Sequence, residues 1–255
     1  MVDDGSTDDT GQVVAVFGDA RIRYVKQENR GRSAARNAAL ALGRGRYIAF
    51  LDSDDTYLPH KLSLQVQYMD ANPEVGMVYT SAHCVDSEGI RLPAEYLATL
   101  SGHIYHAIAF FQPVTITLPT VMVRSALMAE IGGFDEAMHR FEDTDMWRRL
   151  AKRIVIHAIP EFTCDLRTHS DNHLMNQNPE QLIAALGYYA NKIQREDAAM
   201  GKITLRRGLG GLYYYYGRAF LSVKGWKMHS IRLLFCALNY WPPAVMSGFV
   251  RLLLK

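Results

Sequence analysis

Cysteine is scarce, with Cys84, Cys164 and Cys236 the only three in 255 residues. They are widely spaced and form no Cys-x-x-Cys pair, which argues against a disulfide framework and a zinc knuckle and suits a reducing compartment. Long apolar runs are missing as well. No stretch reaches the roughly 18 to 20 uncharged residues that span a bilayer, and no leader-like segment precedes the first acidic turn. The expectation is a chain that is neither secreted nor integral, lying in the cytoplasm or peripherally on the inner face of the membrane. Tandem repeats and low-complexity linkers are absent too. His103 and His106, three residues apart, lack the Glu or third ligand of a zinc site and read as surface or core residues.

Acidic residues vanish from the last part of the chain. After Gly201 there are nine Lys and Arg and no Asp or Glu, leaving 19 basic residues against 26 acidic ones before that point. The same region carries helical periodicity at Leu205, Leu209, Leu212, Tyr216 and Phe220, then at Ile231, Leu234, Phe235 and Leu238, ended by Pro242 and Pro243. A short further segment follows from Phe249 to Leu254. Basic amphipathic helices with Trp226 and Trp241 suit an anionic membrane surface. A hairpin packed on its own protein with a solvated basic face fits equally. Tyr213 to Tyr216 cannot all share one helix face, and no recognition motif supports nucleic-acid binding.

What is present in quantity is apolar residue, 49% of the total, enough for one large α/β domain with an appendage. The Asn and Pro cluster between His173 and Glu180 marks the boundary, giving a first domain over 1–175 and a basic helical region over 176–255.

Chemistry concentrates in three places. Tyr47 to Leu51 reads as a short buried strand, followed by Asp52-Ser53-Asp54-Asp55 and by a helix introduced by Pro59 with Leu58, Leu62, Val66 and Met69 on one face. Three carboxylates in four residues repel one another unless a cation sits among them, and hard divalent ions favour oxygen ligands. In an open α/β sheet that turn would face the ligand crevice at the strand ends. An acidic surface turn or helix cap is the plainer alternative. Val2-Asp3-Asp4-Gly5-Ser6-Thr7 reads as a strand end and glycine turn, with Ser6 or Thr7 capping a helix of Gln12 to Val16. Asp4 there could accept a hydrogen bond from a nucleotide base. Asn29-Arg30-Gly31-Arg32-Ser33 leads, with Ser33 as cap, into an Ala-rich helix that ends at Gly43 and places Arg32 and Arg36 where anions are favoured.

Together these segments resemble glycosyltransferase family 2, inverting enzymes of the GT-A fold. The likeness rests on Val2 to Asp8, Asn29 to Asn37 and Tyr47 to Asp55, in the family's order and approximate spacing. It continues through Gly132-Gly133-Phe134-Asp135-Glu136 and Phe141-Glu142-Asp143-Thr144-Asp145-Met146-Trp147, and more loosely through Arg167-Thr168-His169-Ser170. The fold it implies is a Rossmann-like mixed sheet flanked by helices, with a C-terminal helical appendage.

By the same resemblance, Asp3, Asp4, Arg36, Asp52, Ser53, Glu142 and Arg167 would contact a nucleotide-sugar donor. Asp54, Asp52 and His169 would hold Mg2+ or Mn2+, and Asp143 would be the catalytic base. A tyrosine often precedes the family's late arginine, where this chain has Leu166. The implied acceptor is a glycan, lipid-linked or protein hydroxyl, met along Gly89 to Thr120, where Tyr96, Tyr105, Phe110 and Phe111 could stack on sugars or fill a core.

An inverting transfer needs a carboxylate to take the proton of the attacking hydroxyl. Repulsion from Glu142 would make Asp143 a better base. Glu142, Asp143 and Asp145 would also simply complement a helix dipole. Members of the family open with a strand and helix that are not in this sequence, which leads us to expect weak donor binding and poor solubility. A silent nucleotide-sugar or carbohydrate binding module, and a phosphoryl-transfer enzyme using an aspartyl nucleophile, are the competing readings.

Overall fold

The computed structural model describes residues 1–110, 116–169 and 176–243; Phe111, Ser170, His173 and the stretch from Phe249 to Leu254 lie outside the described residues. Two long strands organise the molecule. β5 (Val75–Val85) is buried along almost its whole length, and β8 (Val155–Arg167) runs parallel beside it. A strand covered on both faces reads as a continuous apolar run, as Val75 to Tyr79 does.

β7 (Val121–Arg124) lies antiparallel to β5 on its other side, β3 (Tyr47–Ala49) pairs with β7, and β4 (Thr56–Tyr57) pairs with the far end of β8. The sheet order is β3-β7-β5-β8-β4, with β6 (Arg91–Tyr96) hydrogen-bonded to β5. A separate parallel pair joins β1 (Val2–Asp3) to β2 (Val25–Lys26). The mixed sheet flanked by helices is the architecture the resemblance implies.

The helix starts differ from their expected caps. α1 (Thr10–Val16) begins after Asp9 rather than at Ser6 or Thr7, and it buries no residue; Val13, Val16 and Phe17 are exposed. α2 (Arg32–Leu42) begins after Gly31, whose φ of 87° suits glycine alone, so Ser33 falls inside the first turn with its hydroxyl buried and unpartnered. The expected stop at Gly43 is where the helix ends.

In α3 (Lys61–Ala71) the inward face is the expected one only in part, with Met69 on it and Leu62 off it. Lys61, Gln65 and Met69 are fully buried, while Leu62 is half exposed. Gln65 donates to the carbonyl of Thr120 at 2.7 Å, and the Lys61 ammonium donates to Gln65 and lies 4.7 Å over the Tyr57 ring. Burial pushes Lys61 down to about 8.

α4 (Tyr105–Ala109) and α5 (Ser125–Ile131) cover one side of the sheet, together with α6 (Glu142–Ala151). A helix not anticipated, α7 (Pro179–Glu196), is capped by Asn178, whose side chain accepts from the amides of Glu180 and Gln181. It packs with α8 (Lys202–Leu221) and α9 (Lys227–Tyr240) in a second core that also takes in Phe110 and Met138. Of the tyrosine run, Tyr213 is buried and Tyr215 exposed, as one helix face requires.

The α9 stripe lies mostly on the outer face. Ser230, Leu233 and Ala237 point inward, while Met228, Ile231, Phe235 and Leu238 lie outward and exposed. No helix among the described residues is long and apolar enough to cross a membrane. Cys84, Cys164 and Cys236 are free thiols, as their spacing suggests.

Candidate active site

The Asp52 to Asp55 turn sits between β3 and β4, and its three carboxylate residues line a cavity of about 420 Å3. One wall carries Asp52, Asp54, Asp55, Glu142 and Asp143 together with Arg32, Arg36, Arg167 and His169. The less polar part of the lining is built from Tyr96, Ile108, Ile116, Leu118 and Trp147. Charged residues from the turn, α2, α6 and the end of β8 therefore meet in one place, although they are far apart in sequence.

Arg36 is the link between the two acidic groups. Its Nη2 donates to both carboxylate oxygens of Asp52, at 2.9 and 3.2 Å, and its Nη1 donates to Glu142 at 3.1 Å. Arg32 reaches the same Glu142 oxygen at 2.8 Å. Glu142 is almost wholly buried, and two guanidiniums compensate a carboxylate that would otherwise be costly there.

Asp143 has a different environment. Its Oδ1 accepts the Thr144 amide at 2.6 Å. Burial first, and then the neighbouring charge of Glu142, push its carboxyl up to about 6, against the pull of Arg36 and Arg32. The acidic first turn of α6 thus serves two ends: Asp145 turns down to Arg148 at 2.7 Å, and Asp143 lines the cavity.

On the far side of the turn, Asp54 Oδ2 lies 2.9 Å from Nε2 of His169, both partly exposed. Asp55 accepts the Arg167 amide at 2.8 Å, and burial pushes its carboxyl up to about 6, with Asp54 and Asp52 adding repulsion. The Arg167 guanidinium donates to the carbonyls of Asp54, Asp86 and Ser87 at 3.1, 2.8 and 2.6 Å, so it braces the turn.

Among the described residues no three His, Cys, Asp or Glu side chains converge as a complete metal cage. Asp54 with His169 offers an oxygen and a nitrogen side by side. That set fits an Mg2+ or Mn2+ ion that takes its other ligands from phosphate and water. Asp52, held by Arg36, fits a supporting role.

Asp3, Asp4 and Ser53 lie outside the cavity lining. Asp3 is buried and accepts the Tyr24 hydroxyl and the Ser6 amide; these bonds, Tyr24 first, lower its carboxyl to about 2. Asp4 accepts from the Gln27 side chain at 2.8 Å and from the Arg30 amide at 2.9 Å. Arg32 and Asp55, read from sequence only as parts of the anion-favouring and acidic segments, line the cavity, and so do Thr144 and Trp147, which had no role assigned. Trp147 was legible in principle, one helical turn beyond Asp143 on the same face. The 116–119 segment carries no chemical signature.

Residues 1–126 match the profile described as "Glycosyl transferase family 2". An uncharacterized glycosyltransferase of Rickettsia bellii is 33% identical over 195 residues, which is 75% of this chain and 28% of that protein. The chain thus spans less than a third of the length of that relative. The Escherichia coli UDP-Glc:alpha-D-GlcNAc-diphosphoundecaprenol beta-1,3-glucosyltransferase WfaP is 46% identical over 71 residues, 28% of each chain. Among solved structures, S. aureus TarS 1-349 in complex with UDP-GlcNAc superimposes with a TM-score of 0.65 at 21% identity, covering 96% of this chain and 72% of TarS 1-349. That likeness identifies the GT-A fold.

Proposed function

The chain belongs to glycosyltransferase family 2, and from that premise we propose that it moves a sugar from a nucleotide-diphosphate donor to an acceptor hydroxyl with inversion at the sugar carbon. The observation that carries this is the joining of Asp52 and Glu142 through Arg36, which sets the acidic turn and the Asp143 carboxylate on one cavity. The donor diphosphate would lie along the turn and the acceptor against Tyr96, Ile108 and Trp147. Asp143, poised near 6, takes the proton of the attacking hydroxyl. Asp54 and His169 would hold Mg2+ or Mn2+, which when bound neutralises charge on the leaving diphosphate. We assign residues 1–175 to the transferase domain and 176–255 to the helical region, and Asp4 to the nucleotide base if its present partners yield.

A screen of nucleotide sugars for diphosphate release with Mg2+ or Mn2+ tests the reading. Asp54→Ala and chelation should each lower the rate by about 100-fold or more. Full turnover in the chelated Asp54→Ala protein would rule out the metal. The silent-module and phosphoryl-transfer readings predict, respectively, donor binding without release and a trapped aspartyl-phosphate.

The acceptor class we favour is a lipid-linked glycan, reached from a cytoplasmic membrane surface. Its support is α9, where Met228, Ile231, Phe235 and Leu238 recur at helical spacing on the outward face, flanked by Lys227 and Arg232. The protein should float with anionic vesicles and not with neutral ones, and Phe235→Glu should abolish flotation while transfer to a soluble acceptor persists. Flotation unchanged by Phe235→Glu would remove α9 from consideration.

A further inference from the structure

The residue just before the Glu142 and Asp143 pair has a backbone that its side chain does not favour. Phe141 has φ 64° and ψ 15°, the single non-glycine residue in the left-handed region among the described residues. A bulky aromatic is poorly suited to that region, and such outliers persist where surrounding structure over-determines them. Here the surroundings are visible. The Phe141 ring packs on Tyr189 of α7 at 5.9 Å and edge-on to Tyr216 of α8 at 5.8 Å. Tyr189 has no exposed surface, and its hydroxyl donates to the carbonyl of Ala109 at 3.0 Å, which fixes that side of the clamp.

Phe141 is also the N-terminal cap position of α6, and its carbonyl accepts the Asp145 amide at 2.8 Å. The dihedrals at this position set the angle at which α6 leaves the preceding loop, and with it where the first-turn side chains are carried. Glu142 departs toward Arg32 and Arg36, and Asp143 toward the cavity. The other end of α6 is held by the same helical region, since Arg148 Nη1 lies 2.6 Å from Asp197, just past α7.

We propose that Phe141 is a positioning residue, and that Tyr189 and Tyr216 of the C-terminal helices clamp its ring and so hold the left-handed turn that aims Asp143 at the acceptor hydroxyl. This rests on the transferase reading above. It makes the helical region part of the catalytic apparatus, independently of any contact with a membrane.

The test compares Phe141→Gly, Phe141→Tyr and Tyr216→Ala in the full chain. Glycine accepts the left-handed backbone but removes the ring, so relief of strain and loss of the clamp act in opposite directions. With the clamp, Phe141→Gly and Tyr216→Ala lower kcat by about 100-fold, the scale of a misplaced catalytic group, while donor affinity by calorimetry changes less than about threefold. Phe141→Tyr restores the rate. The acid limb of the pH profile moves to lower pH in Phe141→Gly, because a loosened Asp143 becomes better hydrated; a purely structural residue would leave that limb in place.

Amide hydrogen exchange over 142–145 should quicken in both clamp variants, a readout that needs no turnover. Undiminished kcat in Phe141→Gly, or unchanged exchange at 142–145 in folded Tyr216→Ala protein, overturns the clamp. If the wild type itself transfers no sugar, the function reading fails alone and the exchange experiment still decides this proposal.

Discussion

Asp143→Asn is expected to lower kcat by about 10²- to 10⁴-fold while leaving donor affinity unchanged, because the amide keeps the shape of the side chain and loses only its capacity to take a proton. The same carboxylate sets the pH dependence. It is pushed up to about 6, by burial first and by Glu142 second, so the rate of the wild type should fall as pH drops through 6, where the base becomes protonated.

The stability effect has the opposite sense. Between the ordinary carboxylate range and about 6, the folded protein holds this proton and the unfolded chain does not, so ionising Asp143 destabilises the fold as pH rises through that window. Above pH 6, Asp143→Asn should therefore be at least as stable as the wild type in urea denaturation. A variant that keeps full transfer activity would remove Asp143 as the base, and a silent binding module would show no turnover to lose.

Arg148→Met should destabilise the protein by about 3–5 kcal/mol, the range for removing one partner of a buried ion pair. Arg148 has no exposed surface. It donates to Asp145, Asp197 and Glu196 at 2.7, 2.6 and 2.5 Å, and the first two of these carboxylates are buried as well. Lys192 and Arg149 also reach Asp145, at 3.0 and 2.8 Å, while Lys152 and Tyr105 reach Asp197. These partners blunt the loss without cancelling it. Urea midpoints measured near pH 7 provide the check, and Arg148→Lys should recover part of the deficit by restoring charge without the guanidinium fork. A midpoint within experimental error of the wild type would mean that α6 does not depend on this cluster.

The site was legible where sequence spacing and chemistry coincide. Asp52, Asp54, Arg36, Glu142, Asp143, Arg167 and His169 come from four separate segments, and all seven line one cavity. Helix faces were less legible. Leu62 was expected inside because it is apolar, yet Lys61 and Gln65 are the buried pair, since their polar ends find Thr120 and the Tyr57 ring. In α9, Ile231 and Phe235 satisfy helical spacing as well outside as inside, and nothing in a period reveals which face meets the core.

The caps failed for a related reason. Ser6, Thr7 and Ser33 have the right chemistry, but the actual helix starts follow Asp9 and Gly31. α7 escaped notice although Asn178 and Pro179 form an ordinary helix start, because the neighbouring Asn and Pro read as a boundary. The Phe141 turn could not have been read at all, since its conformation is imposed by tyrosines some 50 and 75 residues further along.

The turn that follows β3 is fastened from several directions. β4 is hydrogen-bonded to β8 at Thr56 and Tyr57, Arg167 grips Asp55 and Asp54 through its amide and guanidinium, and the Tyr57 hydroxyl donates to the carbonyl of Phe50. Its mutually repelling carboxylates are thus preorganised before any ligand arrives. Association need not spend binding energy freezing a floppy loop, so little ordering entropy should oppose capture of a diphosphate there.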